Sequence, residues 1–128
     1  MESERKIYDI KDRTFEFSKS VVLFVKDFKF NRIYHSLFDQ LIRSATSIGA
    51  NITEGKAGSS KNDFLKFHII ALKSANETEY WLKLIKETLV TEEQSENINS
   101  LLKETDELIR ILVAIIVRTK KIEVTSQK

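Results

Sequence analysis

Arg43, Ser47, Asn51 and Glu54 follow one another at spacings of 4, 4 and 3. On a helix this sets a guanidinium, a hydroxyl, an amide and a carboxylate along one line. Such a line can hold a ligand or partner at the mouth of a helical bundle. The plainer reading, which the residue types favour, is a solvated face, or a network in which Arg43 pairs with an acid on the next helix, such as Glu77. Other constellations carry less chemistry. His35 and His68 lack the Glu-x-x-His pattern of bundle di-metal sites, since Arg32 and Leu65 stand three residues before them. The chain has no cysteine, which removes thiolate ligands, disulfides and cysteine nucleophiles together. No serine sits in Gly-x-Ser-x-Gly, and GKAGSS at 55–60 lacks the Gly-Lys-Ser/Thr ending of a phosphate-cradling loop. The carboxylate pairs Glu77/Glu79 and Glu92/Glu93 suit helix surfaces and helix N-termini better than acid–base catalysis. No metal, cofactor or enzymatic activity is expected.

The elements that position these residues follow from composition and periodicity. The chain has 128 residues, no proline, and three glycines that all lie between 49 and 58. That suits one domain (1–128) of long helices with short connections, and leaves too little turn chemistry for a β fold. Apolar residues recur at helical spacing in four stretches. The first, 9–28, carries Phe17, Val21, Phe24 and Phe28. The second, 32–56, carries Leu37, Leu41, Ile48 and Ile52. Phe64, Phe67, Ala71, Thr78, Leu82 and Ile85 mark 61–89. Ile98, Leu101, Leu108, Leu112 and Ile116 mark 92–120. Asn31, Ser60 with Asp63, and Thr91 with Gln94 offer N-terminal caps. The expected fold is all-α, an antiparallel up-down-up-down four-helix bundle. Residues 1–8 and 122–128 are expected to fray. No segment has the apolar length of a membrane span, the charged N-terminus is not a secretory leader, and the cytoplasm is the expected location.

Residues 40–67, QLIRSATSIGANITEGKAGSSKNDFLKF, resemble the signature of the four-helix bundle family of 23S rRNA intervening-sequence proteins, a ribosomal-protein-like group. Gln40, Leu41, Arg43, Ser47, Ile48, Asn51, Ile52, Glu54 and Gly55 match that pattern; Ser60, Phe64, Ser74, Ala75 and Glu77 fit it further on. Gly49 stands where the family usually has proline, so any bend of the second helix is expected to be milder, or held by packing alone. The resemblance implies a left-handed four-helix bundle that assembles as a ring, a pentamer. It also implies kinship with accessory proteins that act beside the reverse transcriptase of diversity-generating retroelements, where RNA or DNA and the polymerase are the partners.

Charge and hydrophobicity give two further expectations. The chain carries 21 Lys+Arg against 19 Asp+Glu, a net of +2, so there is no global basic field. In an up-down plan the N-terminus, the turn between helices 2 and 3 and the end of helix 4 share one end. There, cations that include Arg5, Lys6, Arg13, Lys56, Lys61, Lys66, Arg118, Lys120 and Lys121 exceed the acids by three, whereas the far end is neutral. Repeated around a ring, that rim would suit phosphate. Residues 21–25 and 111–117 are continuous apolar runs that cover every face of their helices. Placed on neighbouring helices, they are expected to form one patch, with Val21, Val22, Val25, Ile111, Ala114 and Ile115 as an oligomer interface. The expected role is a non-enzymatic, self-associating binding module for nucleic acid or a nucleic-acid-processing partner; a protein-interaction scaffold is the alternative.

Overall fold

Most helical segments start where a side chain meets backbone groups that the helix leaves unpaired. Asp9 Oδ1 accepts from the Lys11 N–H at 2.8 Å, Asn31 Oδ1 from the Ile33 N–H at 3.0 Å, and Ser60 Oγ from the Asp63 N–H at 3.1 Å. The Thr91 N–H donates to Gln94 Oε1 at 3.1 Å. The computed structural model describes residues 9–58 and 60–126. They form α1 (Ile10–Asp27), α2 (His35–Ala57), α3 (Lys61–Thr88) and α4 (Ser95–Ser126); single 3-10 turns at Arg32–Tyr34 and Glu92–Gln94 lead into α2 and α4. The described residues contain no strand. The expected starts of helices 2 and 4 are thus tighter turns rather than α-helix, and α4 runs six residues past Lys120. The fraying expected of 1–8 lies outside the described residues.

The bundle is antiparallel throughout its sequential pairs. Gly49 of α2 faces Thr14 of α1, and Lys56 reaches Asp9 at 3.0 Å. Ser47 and Ser44 of α2 meet Ser74 and Thr78 of α3. All four expected stripes supply the core: Phe17, Val21, Phe24 and Phe28 from α1, Leu41, Ile48 and Ile52 from α2, Leu82 and Ile85 from α3, Ile98, Leu108 and Leu112 from α4. Phe30 stacks on Phe38 with ring centroids 4.0 Å apart and closes the core at the α1–α2 turn. Helix α2 is continuous through Gly49, and a Cβ there would stand 3.2 Å from Thr14 Oγ1. The residue at this position therefore sets how closely α1 and α2 approach.

Arg13 marks the axial register of α1 on α4. Its Nε and Nη2 donate to the two carboxylate oxygens of Glu104, both at 2.7 Å, and Nη2 also donates to Glu107 at 2.7 Å. Three residues of α1 precede Arg13, whereas nineteen residues of α4 follow Glu107. At 1.5 Å per residue, α4 extends roughly 24 Å past the start of α1.

Candidate interaction surfaces

The polar line of α2 resolves into separate groups. Ser47 and Asn51 turn toward α3. The Asn51 amide donates to the Ser47 carbonyl at 2.8 Å and to its hydroxyl at 2.9 Å; Ser74 of α3 donates to that same hydroxyl at 2.9 Å. One level lower, the Thr78 hydroxyl lies 3.0 Å from Ser44 Oγ and 2.7 Å from the Ser74 carbonyl, and the Ser44 hydroxyl donates to the Leu41 carbonyl at 3.2 Å. Thr78 is fully buried and Ser44 nearly so. No buried side-chain polar atom here lacks a partner, so the seam ties α2 to α3 and its hydroxyls are committed to packing.

Arg43 does not join this network. It lies on the surface and bonds Asp39 on its own helix at 2.8 Å, which holds the guanidinium above its ordinary range. Of the alternatives the sequence left open, the exposed position fits the solvated face, and the pairing with Glu77 is not formed; Glu77 accepts instead from the Trp81 indole N–H at 3.2 Å. An i,i+4 partner one turn away captured Arg43 at lower conformational cost than a residue across the helix pair. Glu54 is exposed and turns the other way, toward α1, where it lines a cavity with Lys11 and Phe15.

At the end shared by the α2–α3 turn and the C-terminal part of α4, Lys56, Lys61, Lys66, Arg118, Lys120 and Lys121 are all exposed. Lys56 is bound to Asp9, which depresses the Asp9 carboxyl below the usual range. Arg13 is neutralised by Glu104 and Glu107. Lys61, Lys66, Arg118 and Lys120 form no ion pair with a described residue; Lys66 lies 5.4 Å from the centre of the Phe67 ring. Arg5 and Lys6 lie outside the described residues.

The expected single apolar patch is corrected by the Arg13 register. Leu23, at the centre of the first run, lies ten residues beyond Arg13, and Ala114, at the centre of the second, lies seven beyond Glu107. The helices are antiparallel, so the two runs diverge and end about 25 Å apart along the bundle. Val21 is a second correction: it is wholly buried inside the protomer and has no surface to offer a neighbour. Val22 and Ala114 are exposed, and Val25, Ile111 and Ile115 are half-buried. Other exposed apolar residues lie outside that interface set: Ile33 and Tyr80, and also Phe15 at 67%, Val117 at 46% and Val113 at 42%. Phe15 was legible as an aromatic off the stripe, two residues before Phe17.

His68 is buried at the α2–α3 turn, where its ring lies face to face with Phe64, 3.9 Å between centroids, and against Gly55. Its Nδ1 lies 2.7 Å from the Phe64 carbonyl, which requires the proton on Nδ1. Burial pushes its pKa below the ordinary value, and the charge of Lys56 acts in the same sense. His35 is exposed with its ring edge against Phe30. Among the described residues no three His, Asp or Glu side chains gather where they could hold a metal ion. Nor is any described helix long and apolar enough to cross a membrane.

The fold and these surfaces define a four-helix bundle whose organised polar groups serve packing and whose open features are a basic end and apolar helix faces. The family model described as 23S rRNA-intervening sequence protein matches residues 6–114, and the chain belongs to that family. It is also similar to a protein of unknown function from the S23 ribosomal protein family of Bacteroides thetaiotaomicron VPI-5482. The two share 38% sequence identity, and the match covers 84% of this chain and 98% of that one with a TM-score of 0.71. No curated protein matches the chain.

Proposed function

We propose that the protein is a non-enzymatic, self-associating binding module whose basic end engages nucleic acid or a nucleic-acid-processing partner. The observation that carries this reading is the set of exposed cations Lys61, Lys66, Arg118 and Lys120, which have no acid partner among the described residues while Arg13 and Lys56 are spent on internal pairs. Cations left in water at one end of a rod are suited to phosphate oxygens. Two further points support it. The family's own description refers to the 23S rRNA, and the related crystal structure carries a ribosomal-protein family name. The apolar faces at Val22, Val113 and Val117 support self-association, and a ring, a pentamer as the family resemblance implies, would repeat the basic end around one rim.

The test is fluorescence anisotropy with single-stranded and duplex RNA and DNA across a salt series. Binding should weaken steeply with salt. Replacing Lys61, Lys66, Arg118 and Lys120 with Ala should flatten the log–log salt slope by up to about 3 to 4. Binding that is unchanged by the fourfold substitution overturns the choice of surface. Binding of none of the four nucleic acids, together with a sedimenting mass above 14.9 kDa, leaves the scaffold reading, which the near-balanced net charge of +2 favours.

A further inference from the structure

Two cavities lie end to end in the groove between α1 and α2. The upper one, about 510 Å³, is lined by Phe15 and Ser18 of α1 and by Thr46, Gly49, Ala50 and Thr53 of α2. The lower one, about 560 Å³, is lined by Val25, Phe30, His35 and Ile42 among others. Val22, one turn after Ser18 and 43% exposed, falls between them on α1. The groove therefore runs nearly the length of α1. Its α2 wall carries small side chains at helical spacing, so another backbone can approach closely, and Phe15 stands at its rim as an unburied ring.

Helix α4 supplies a matching shape. Past the reach of α1 it presents Val113 and Val117, one turn apart, with Ala114 beside them, all exposed. These are small apolar side chains of the kind that fit a groove walled by Gly49, Ala50 and two threonines. Charge agrees in sign. Arg118 and Lys120 follow the α4 strip, whereas the groove's upper cavity is lined by Asp12 and Glu54 against the single cation Lys11. Within one protomer the strip cannot reach the groove, because α4 packs on α1 and α3 and leaves the α2 side of α1 on the far face.

We infer that the α1–α2 groove of one copy receives the projecting Val113–Val117 face of α4 from a second copy. The inference rests on the self-association proposed above and assigns its surfaces. The contact joins two different patches, so it is head-to-tail; such contacts propagate until a rotation closes them into a ring. Phe15 would then be covered by the incoming helix.

The natural chain lacks cysteine, so single engineered thiols report cleanly. Ala50→Cys and Val117→Cys are prepared separately, mixed, and oxidised under mild conditions. A disulfide-linked species of two chains is expected from the mixture, and much less from either variant alone. Strong cross-linking of either variant by itself indicates a like-to-like contact and overturns the inference. An oligomeric wild type with no cross-link in the mixture does the same, and points to other surfaces while self-association stands. Ala50→Trp fills the groove and should reduce the sedimenting mass to that of one chain with the circular dichroism of the wild type; an unchanged mass counts against the groove. A wild type that sediments as one chain overturns both this inference and the self-association beneath it.

Discussion

Replacing Arg13 with Ala tests whether one charged cluster holds α1 to α4. The guanidinium makes a two-point contact with Glu104 and a third bond to Glu107, all at 2.7 Å. About a quarter of the Arg13 and Glu104 side chains is exposed, against half of Glu107. Glu104, with desolvation opposing it, raises the Arg13 pKa, so the guanidinium stays charged throughout the neutral range. Exposed pairs contribute about 0 to 1 kcal/mol, and charge-assisted bonds to partly buried groups about 1.5 to 3. The Glu104 contact belongs between these limits, at about 1.5 kcal/mol, and Glu107 adds roughly 0.5. Arg13→Ala should therefore cost about 2 kcal/mol, which in a domain of this size lowers Tm by roughly 6 to 10 °C. The assay is a double-mutant cycle by urea unfolding, with Arg13→Ala, Glu104→Ala and the double variant at low and high salt. A coupling of about 1 to 2 kcal/mol that shrinks with salt is expected. A coupling under about 0.3 kcal/mol would show that apolar packing alone sets the register, and would remove the basis for placing the α4 projection.

Three further outcomes follow from the same geometry. The depressed His68 pKa means that below its ordinary value of 6.5 the unfolded chain takes up a proton that the folded chain refuses. Stability is therefore full above that pH and falls as pH drops toward the folded-state value; His68→Gln should flatten the decline measured by urea midpoints between pH 7 and 5, and an unchanged slope refutes the assignment. Thr78→Val keeps the side-chain volume but deletes the bonds to Ser44 and Ser74, so a loss of about 1 to 2 kcal/mol is expected in thermal unfolding, and a stabilised variant would show the seam to be dispensable. Gly49→Ala gains up to about 1 kcal/mol of helix propensity yet sets a methyl 3.2 Å from Thr14 Oγ1; overpacking of roughly 1 to 3 kcal/mol should prevail and lower Tm, and a raised Tm would mean that α1 moves aside freely.

The local features of this fold were legible in the sequence because they are local. Asn31, Ser60 and the Thr91–Gln94 pair act on backbone groups within three residues of themselves, and each does so in the structure. The core stripes were legible because a helix repeats every few residues whatever surrounds it. What the sequence hid is relative placement. Nothing in residues 21–25 or 111–117 encodes that Arg13 meets Glu104, and only that register separates the two apolar runs. Arg43 shows a related limit: long side chains find several acids, so the sequence left a solvated face and a pairing with Glu77 both open, whereas Asp39 one turn away takes the guanidinium. The hydroxyl seam was half visible. Ser47, Ser74 and Asn51 belong to the family pattern and Thr78 to the apolar stripe, yet periodicity does not tell a hydroxyl that bonds across helices from one that faces water.

That seam bears on the choice among alternative packings. Sliding α3 along α2 by one turn would set Thr78 opposite Ile48 instead of Ser44 and strand a hydroxyl in hydrocarbon, at about 1 to 3 kcal/mol for each group so abandoned. Leucine and isoleucine tolerate such slippage because oil meets oil at every step. The small polar residues do not, so what they confer is singularity of structure: a hairpin with one permitted alignment, on which the outer helices can be laid down without ambiguity.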